Sequence, residues 1–211
     1  MRFNKRLINK YAYVLFGLAA FLIILKYDLV ISSAITSLRS PFLDSIMFLV
    51  EKLSIAAIVV IPLVIILRDK NLKKIRNWSI SLLSAYALTL LVKVIVARDR
   101  PFALGINTPF ELIDPEYTKW DFSFPSNHAS VSFASFFFMP SKLMKGFWLC
   151  VSLLIIFSRV YFGLHYLGDV IMGTAIGLGV SYLITKYSER VIEVRALNNM
   201  KYRRNKVKRR K

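Results

Sequence analysis

The chain has 211 residues, is 56% hydrophobic with a mean hydropathy of +0.52, and carries a net charge of +18. Its apolar residues are gathered into long runs, which argues against one large soluble core and for a chain that crosses a membrane repeatedly. A single cysteine, Cys150, excludes an internal disulfide, and its place inside an apolar run predicts burial.

Six spans are expected, at about 11–27, 42–67, 77–97, 127–139 with its flanks, 146–162 and 166–187. Each approaches the roughly 20 residues that a helix needs to cross hydrocarbon. The first follows a basic "MRFNKR" that could serve as the n-region of a signal peptide, but no convincing cleavage site follows it. The second carries an acid, Glu51, about 15 Å past Pro41 by helical rise. Its default reading is a buried bundle contact, and the alternative is a supporting catalytic or proton-relay role. The fourth is short and serine-rich, "SNHASVSFASFFFMP", and Pro140 limits its far end.

After the sixth span, from about residue 188, comes a basic tail ending "KYRRNKVKRRK". In a soluble protein it would pass for a nucleic-acid patch. Directly after a hydrophobic span it reads instead as a cytoplasmic anchor against anionic headgroups, so membrane lipid and not nucleic acid is the expected partner. The fold class is thus all-α: a polytopic membrane protein, a bundle of six transmembrane helices. No linker divides it, and residues 1–211 read as one domain with that tail.

Segments 1–10, 68–76, 139–146 and 186–211 hold 22 of the 30 Lys and Arg residues. The positive-inside rule makes their side cytoplasmic, with both termini there. The expected localisation is the plasma membrane. Loops 28–41, 98–126 and 158–166 then face outward.

Three clusters converge on the outer face: "KVIVARDRP", "FPSNHAS" and "SRVYFGLHYLGD". Lys93, Arg100 and Arg159 put three cations at one membrane boundary. Arginine's planar fork suits phosphate oxygens, and lysine adds a compact charge. Any one alone reads as an interfacial snorkelling side chain. Ser126 occupies an N-cap position, where backbone N–H groups and the helix dipole favour a phosphate.

Both histidines of the chain fall in these clusters. His165 and Asp169 are four apart, so on a helix they would share a face, the carboxylate fixing the imidazole tautomer for nucleophilic attack. His128 could protonate a departing oxygen. A metal is not expected, because zinc normally takes three or four protein ligands and no third histidine exists. No cofactor is called for. Together these parts suit phosphoryl transfer through a phosphohistidine.

The same residues resemble the signature of the type 2 phosphatidic acid phosphatase family. Lys93 through Arg100-Pro101 matches its first part, and Pro125-Ser126-Asn127-His128 its second. Ser158-Arg159, His165 and Asp169 match its third. Asn127 departs, standing where glycine is the commoner residue; asparagine tolerates left-handed backbone angles, and its amide could touch phosphate or headgroup. The resemblance covers about 90–170. It implies a six-helix membrane fold, metal-independent hydrolysis of a lipid phosphate, His165 as nucleophile and His128 as acid.

A site at the outer boundary suits a lipid whose phosphate meets water while its chains stay in hydrocarbon. The first expectation for the substrate is a polyprenyl diphosphate. Phosphatidic acid or phosphatidylglycerol phosphate, and a phosphotransferase using the same intermediate, stand beside it. Vanadium haloperoxidases share the signature, but six spans argue against them. A transporter is the reading from another class, disfavoured because its charges would sit near the midplane and not at one face. The 102–124 stretch, with Tyr117 and Trp120, reads as an interfacial loop at the pocket mouth.

Overall fold

The computed structural model describes residues 5–106 and 122–208. Within the 102–124 stretch, residues 107–121, which include Tyr117 and Trp120, lie outside the described residues. Six α-helices follow in order: α1 (Lys5–Thr36), α2 (Pro41–Leu67), α3 (Leu72–Val96), α4 (Asn127–Phe133), α5 (Lys142–Tyr161) and α6 (Leu167–Lys208). No strand occurs among the described residues.

The helix starts are written in local chemistry. Ser40 caps α2 by accepting from the Leu43 N–H, with Pro41 at the first helical position. Asn71 accepts from the N–H groups of Lys73 and Lys74 to open α3, and Ser141 accepts from Met144 to open α5.

Among the described residues, five helices are long and apolar enough to cross a membrane, over Leu15–Thr36, Pro41–Leu67, Leu72–Leu104, Lys142–Tyr161 and Leu167–Val191. The expected fourth spanning helix is different. α4 has only 7 residues and ends at Ala134; a 3₁₀ turn, Phe136–Phe138, follows. Its serines explain the break, since hydroxyls on consecutive turns compete for the backbone. Ser130 Oγ donates to the Asn127 carbonyl and Ser132 Oγ to the His128 carbonyl.

A broken helix packed among apolar helices is tolerable only where protein groups satisfy its backbone. Here the neighbours do so. Ser81 Oγ donates to the Ala134 carbonyl at 2.9 Å, and Trp148 Nε1 to the Ser132 carbonyl at 2.9 Å. Trp78 Nε1 reaches Ser135 Oγ at 2.9 Å, and Thr89 Oγ1 reaches Ser130 Oγ at 2.7 Å. α3, α5 and α6 thus enclose α4, which is among the most buried parts of the chain.

α4 lies against α6 through two glycines one turn apart. A Cβ on Gly173 would meet the Ser126 carbonyl, and one on Gly177 would meet the Ser130 carbonyl and the Ala134 nitrogen. Small residues at such a crossing let two backbones approach.

Three further expectations are corrected. The first helix continues well past residue 27, to Thr36, because Asp28 is satisfied inside the bundle. The basic tail from about 188 is not a separate element; α6 continues through it to Lys208. Cys150 is exposed on α5, not buried, since an apolar run in a membrane helix has a lipid-facing side as well as an inward one.

Candidate active site

The three clusters meet at one end of the bundle. α3 closes with Lys93 in its last turn and Ala97 in the left-handed region, φ 47°, which turns the chain across the helix ends. Lys93 is buried, and its Nζ donates to the Phe122 carbonyl and, at 3.5 Å, to that of Ser123. Arg100 is buried too and donates to the Leu164 carbonyl at 2.9 Å, tying the first cluster to the third.

At the end of α5, Gly163 adopts φ 66°, a conformation that suits glycine. The turn folds the chain back so that the N–H groups of Leu164 and His165 both donate to the Arg159 carbonyl, at 2.9 and 3.2 Å. His165 therefore lies in a turn before α6, and Asp169 in that helix's first turn. The pair does not share one helical face, as the four-residue spacing suggested. The spacing nevertheless brings them near, because Asp169 Oδ2 accepts the Tyr166 N–H at 2.9 Å.

His165 Nδ1 is 3.5 Å from Asp169 Oδ2 and 3.4 Å from Ser123 Oγ. The Ser123 hydroxyl donates to the same carboxylate oxygen. Nδ1 is thus the ring edge turned toward the carboxylate. Asp169 Oδ1 accepts from Arg98 Nη1 at 2.9 Å, and that nitrogen also reaches Asp28 Oδ2 at 2.8 Å. Asp28, from α1, accepts the Gly168 N–H at 2.9 Å, and the Arg98 guanidinium stacks on Tyr166, 3.8 Å from the ring centre.

A cavity of about 460 Å³ opens where these elements meet. Lys93, Arg100, Asn127, His128, Arg159 and His165 line it, so residues from all three clusters face one space. Ser126 and Asp169 stand behind the wall. Ser126 Oγ caps α4 by accepting the Ala129 N–H at 3.5 Å, and its own N–H donates to the Asp169 carbonyl at 3.0 Å. The other wall is apolar: Ile55, Ile58 and Val59 from α2, Tyr86 from α3 and Val131 from α4. Ile55, Val59 and Tyr86 are also exposed on the outer surface, so the cavity opens sideways between α2 and α3.

Such a space can take an anion with an apolar appendage. Burial, together with the positive charges of Arg100, Arg159 and Lys93, holds the His165 imidazole well below its ordinary pKa. The ring is then neutral at neutral pH, the form that can attack. Among the described residues, no group of three or more His, Cys, Asp or Glu could hold a metal ion.

Four side chains around the site were not among the residues assigned a catalytic or phosphate-binding role from the sequence. Glu51 stood out in the sequence as an acid in an apolar span, and it is ion-paired with Arg159. Asp28 carries the same signal, a lone acid inside a long apolar helix. Arg98 sits two residues before Arg100 and was masked by it. Ser123 had no signal in the sequence.

The profile of the PAP2 superfamily matches residues 75–193, which include every residue of the three clusters. The chain belongs to the PAP2 superfamily. It is 30% identical over 118 residues to an undecaprenyl-diphosphatase of Sulfolobus acidocaldarius, a match covering 53% of this chain and 55% of that one. The chain therefore spans about half the length of that relative. It is 24% identical over 181 residues to phosphatidylglycerophosphatase B of Bacillus subtilis, covering 78% and 84% of the two chains. Among solved structures it is similar to Aquifex aeolicus LpxE, with TM-score 0.64 and 24% identity over 76% of this chain and 95% of that one. It is also similar to a transmembrane PAP2-type phosphatidylglycerolphosphate phosphatase from Bacillus subtilis, with TM-score 0.63 and 23% identity over 86% and 96%. At these identities the two structures establish a shared helical membrane fold. Asp28 and Glu51 both lie outside the matched segment.

Proposed function

We propose that this protein hydrolyses the phosphate or diphosphate of a membrane lipid through a phosphohistidine on His165. The observation that carries the reading is the convergence of Lys93, Arg100, Asn127, His128, Arg159 and His165 on one cavity. Three cations and two histidines from distant parts of the chain gather there beside an apolar wall.

In the proposed reaction, Lys93, Arg100 and Arg159 bind the phosphoryl oxygens, and Asn127 lies against the same group. His165 Nε2 attacks phosphorus. As the N–P bond forms, the P–O bond to the lipid or to its remaining phosphate breaks, and His128 gives a proton to the departing oxygen. Water then attacks the phosphohistidine and passes a proton to His128; the N–P bond electrons return to His165, and inorganic phosphate leaves. Asp169 and Ser123 hold Nδ1, which keeps the tautomer that exposes Nε2. Ser126 acts by fixing the start of α4. No step calls for a metal.

The chain is taken as one domain of six crossings, the broken α4 with its 3₁₀ turn supplying the fourth. Both ends of the described chain face the cytoplasm of a cell membrane, and the cavity opens at the outer boundary. The sideways opening between α2 and α3 lets a lipid present its headgroup while its chains remain in the bilayer. A polyprenyl diphosphate is the first substrate, in keeping with the undecaprenyl-diphosphatase similarity. Phosphatidylglycerol phosphate is the second reading, favoured by the longer alignment with the Bacillus enzyme.

The test is phosphate release by purified protein in detergent with EDTA. Polyprenyl diphosphate, phosphatidic acid and phosphatidylglycerol phosphate would be offered separately, with His165→Ala as control. Release on one lipid, surviving EDTA and absent in the variant, is expected. No release on any of them from folded protein would contradict the reading.

A further inference from the structure

Glu51 is the acid for which the proposed reaction has no task. It lies on α2, and its side chain is only 9% exposed. Oε1 is ion-paired with Arg159 Nη1, and Oε2 accepts from Ser158 Oγ at 3.0 Å. Arg159 is 5% exposed and lines the cavity, and its buried Nε has no hydrogen-bond partner among the described residues.

These facts have one physical reading. A guanidinium carries five N–H donors in one plane. A carboxylate bound at one end fixes that plane and leaves the remaining donors for another acceptor. The unpartnered Nε is such a donor, and the Arg159 side chain that carries it lines a cavity suited to phosphate. An unpaired buried cation is costly, so Arg159 needs an anion of the protein's own beside it whenever no phosphate is bound. Asp169 cannot serve, because Arg98 engages it. Glu51 is the carboxylate in contact with Arg159.

A resident anion has a second effect. Lys93, Arg100 and Arg159 together attract phosphate strongly, and a product held too tightly slows turnover. One negative charge against Arg159 weakens that hold, because like charges in a desolvated site repel.

We propose that Glu51 is a positioning residue and the counter-anion of Arg159: it sets the guanidinium plane for phosphate and limits how tightly product is held. The inference rests on the phosphate reading above.

The experiment measures binding of inorganic phosphate to the full chain in detergent by calorimetry, alongside kcat per phosphate-binding site. Glu51→Gln keeps the shape and removes the charge. It is expected to bind phosphate about tenfold more tightly, with a lower kcat. Glu51→Asp keeps the charge but draws it back by one methylene. It is expected to bind phosphate within about threefold of the parent, with kcat down about tenfold.

A purely structural Glu51 would change the folded fraction but neither constant, since both are referred to competent sites. Unchanged or weaker phosphate binding in folded Glu51→Gln overturns the proposal. If that variant does not fold, unchanged kcat in Glu51→Asp overturns it. A parent chain that binds no phosphate overturns the functional reading and this inference together, whereas a binding parent with an unaltered Glu51→Gln overturns this inference alone.

Discussion

Arg98 holds Asp169: its Nη1 donates to Asp169 Oδ1 at 2.9 Å, with Asp28 on the same nitrogen at 2.8 Å. The carboxylate beside His165 is therefore held from α1, through a helix outside the superfamily match. Asp28→Asn is expected to lower kcat/KM about tenfold and Arg98→Gln about a hundredfold, because small displacements of an orienting group are costly. Both should leave phosphate affinity nearly intact, since neither residue lines the cavity. Steady-state kinetics paired with phosphate calorimetry checks this.

The lowered pKa of His165 gives a second prediction. The folded site resists protonation while the unfolded chain takes up a proton near the ordinary value of 6.5. The folded state then binds fewer protons, so stability falls as pH drops below about 6.5. With only 2 histidines in the chain, His128→Gln leaves a single imidazole to follow. Its ¹⁵N shifts should report a neutral ring at pH 6.5 and below. A midpoint at or above 6.5 would contradict the burial and cation argument.

The crossing of α4 and α6 yields a third. A Cβ on Gly177 would press on the Ser130 carbonyl and come within 2.9 Å of the Ala134 nitrogen, whereas one on Gly179 meets nothing within 4 Å. Gly177→Ala is expected to cost about 1–3 kcal/mol, a fall in Tm of several degrees. Gly179→Ala should leave Tm unchanged or raise it, since alanine is the better helix former. Thermal unfolding of the two variants side by side separates close approach from propensity.

Ala97 is the mirror case. It caps α3 at φ 47°, ψ 42°, a region where a Cβ is strained. Ala97→Gly should stabilise the protein by about 0.5–1 kcal/mol while leaving the site in place. A drop in Tm would show that the methyl group contributes packing that outweighs the strain.

Much of this was legible in the sequence because apolar runs and charged clusters are local signals. Lys93, Arg100, His128, Arg159 and His165 could be named, since cations and histidines beside membrane spans stand out. The broken fourth segment was less legible. "SNHASVSFASFFFMP" is apolar enough to suggest a span, and its division depends on Trp78, Ser81 and Trp148 arriving from other helices to satisfy its backbone. The pairing of His165 with Asp169 is found, but the geometry that brings them together was not legible, for a similar reason. A spacing of four suggests one helical face, but Gly163 ends α5 and places His165 in a turn. Asp28, Arg98 and Ser123 join the site by tertiary contacts across as many as 140 positions, as in the Asp28–Gly168 bond, and no local pattern carries that.

The central claim is that His165 carries the phosphoryl group, and trapping that group tests it most directly. Protein mixed with a ³²P-labelled lipid phosphate, quenched in alkali and digested, should yield label on the peptide containing His165. The label should be stable in base, lost in acid, and absent from His165→Ala. Rapid phosphate release with no label on His165, or with label on another residue, would contradict the account.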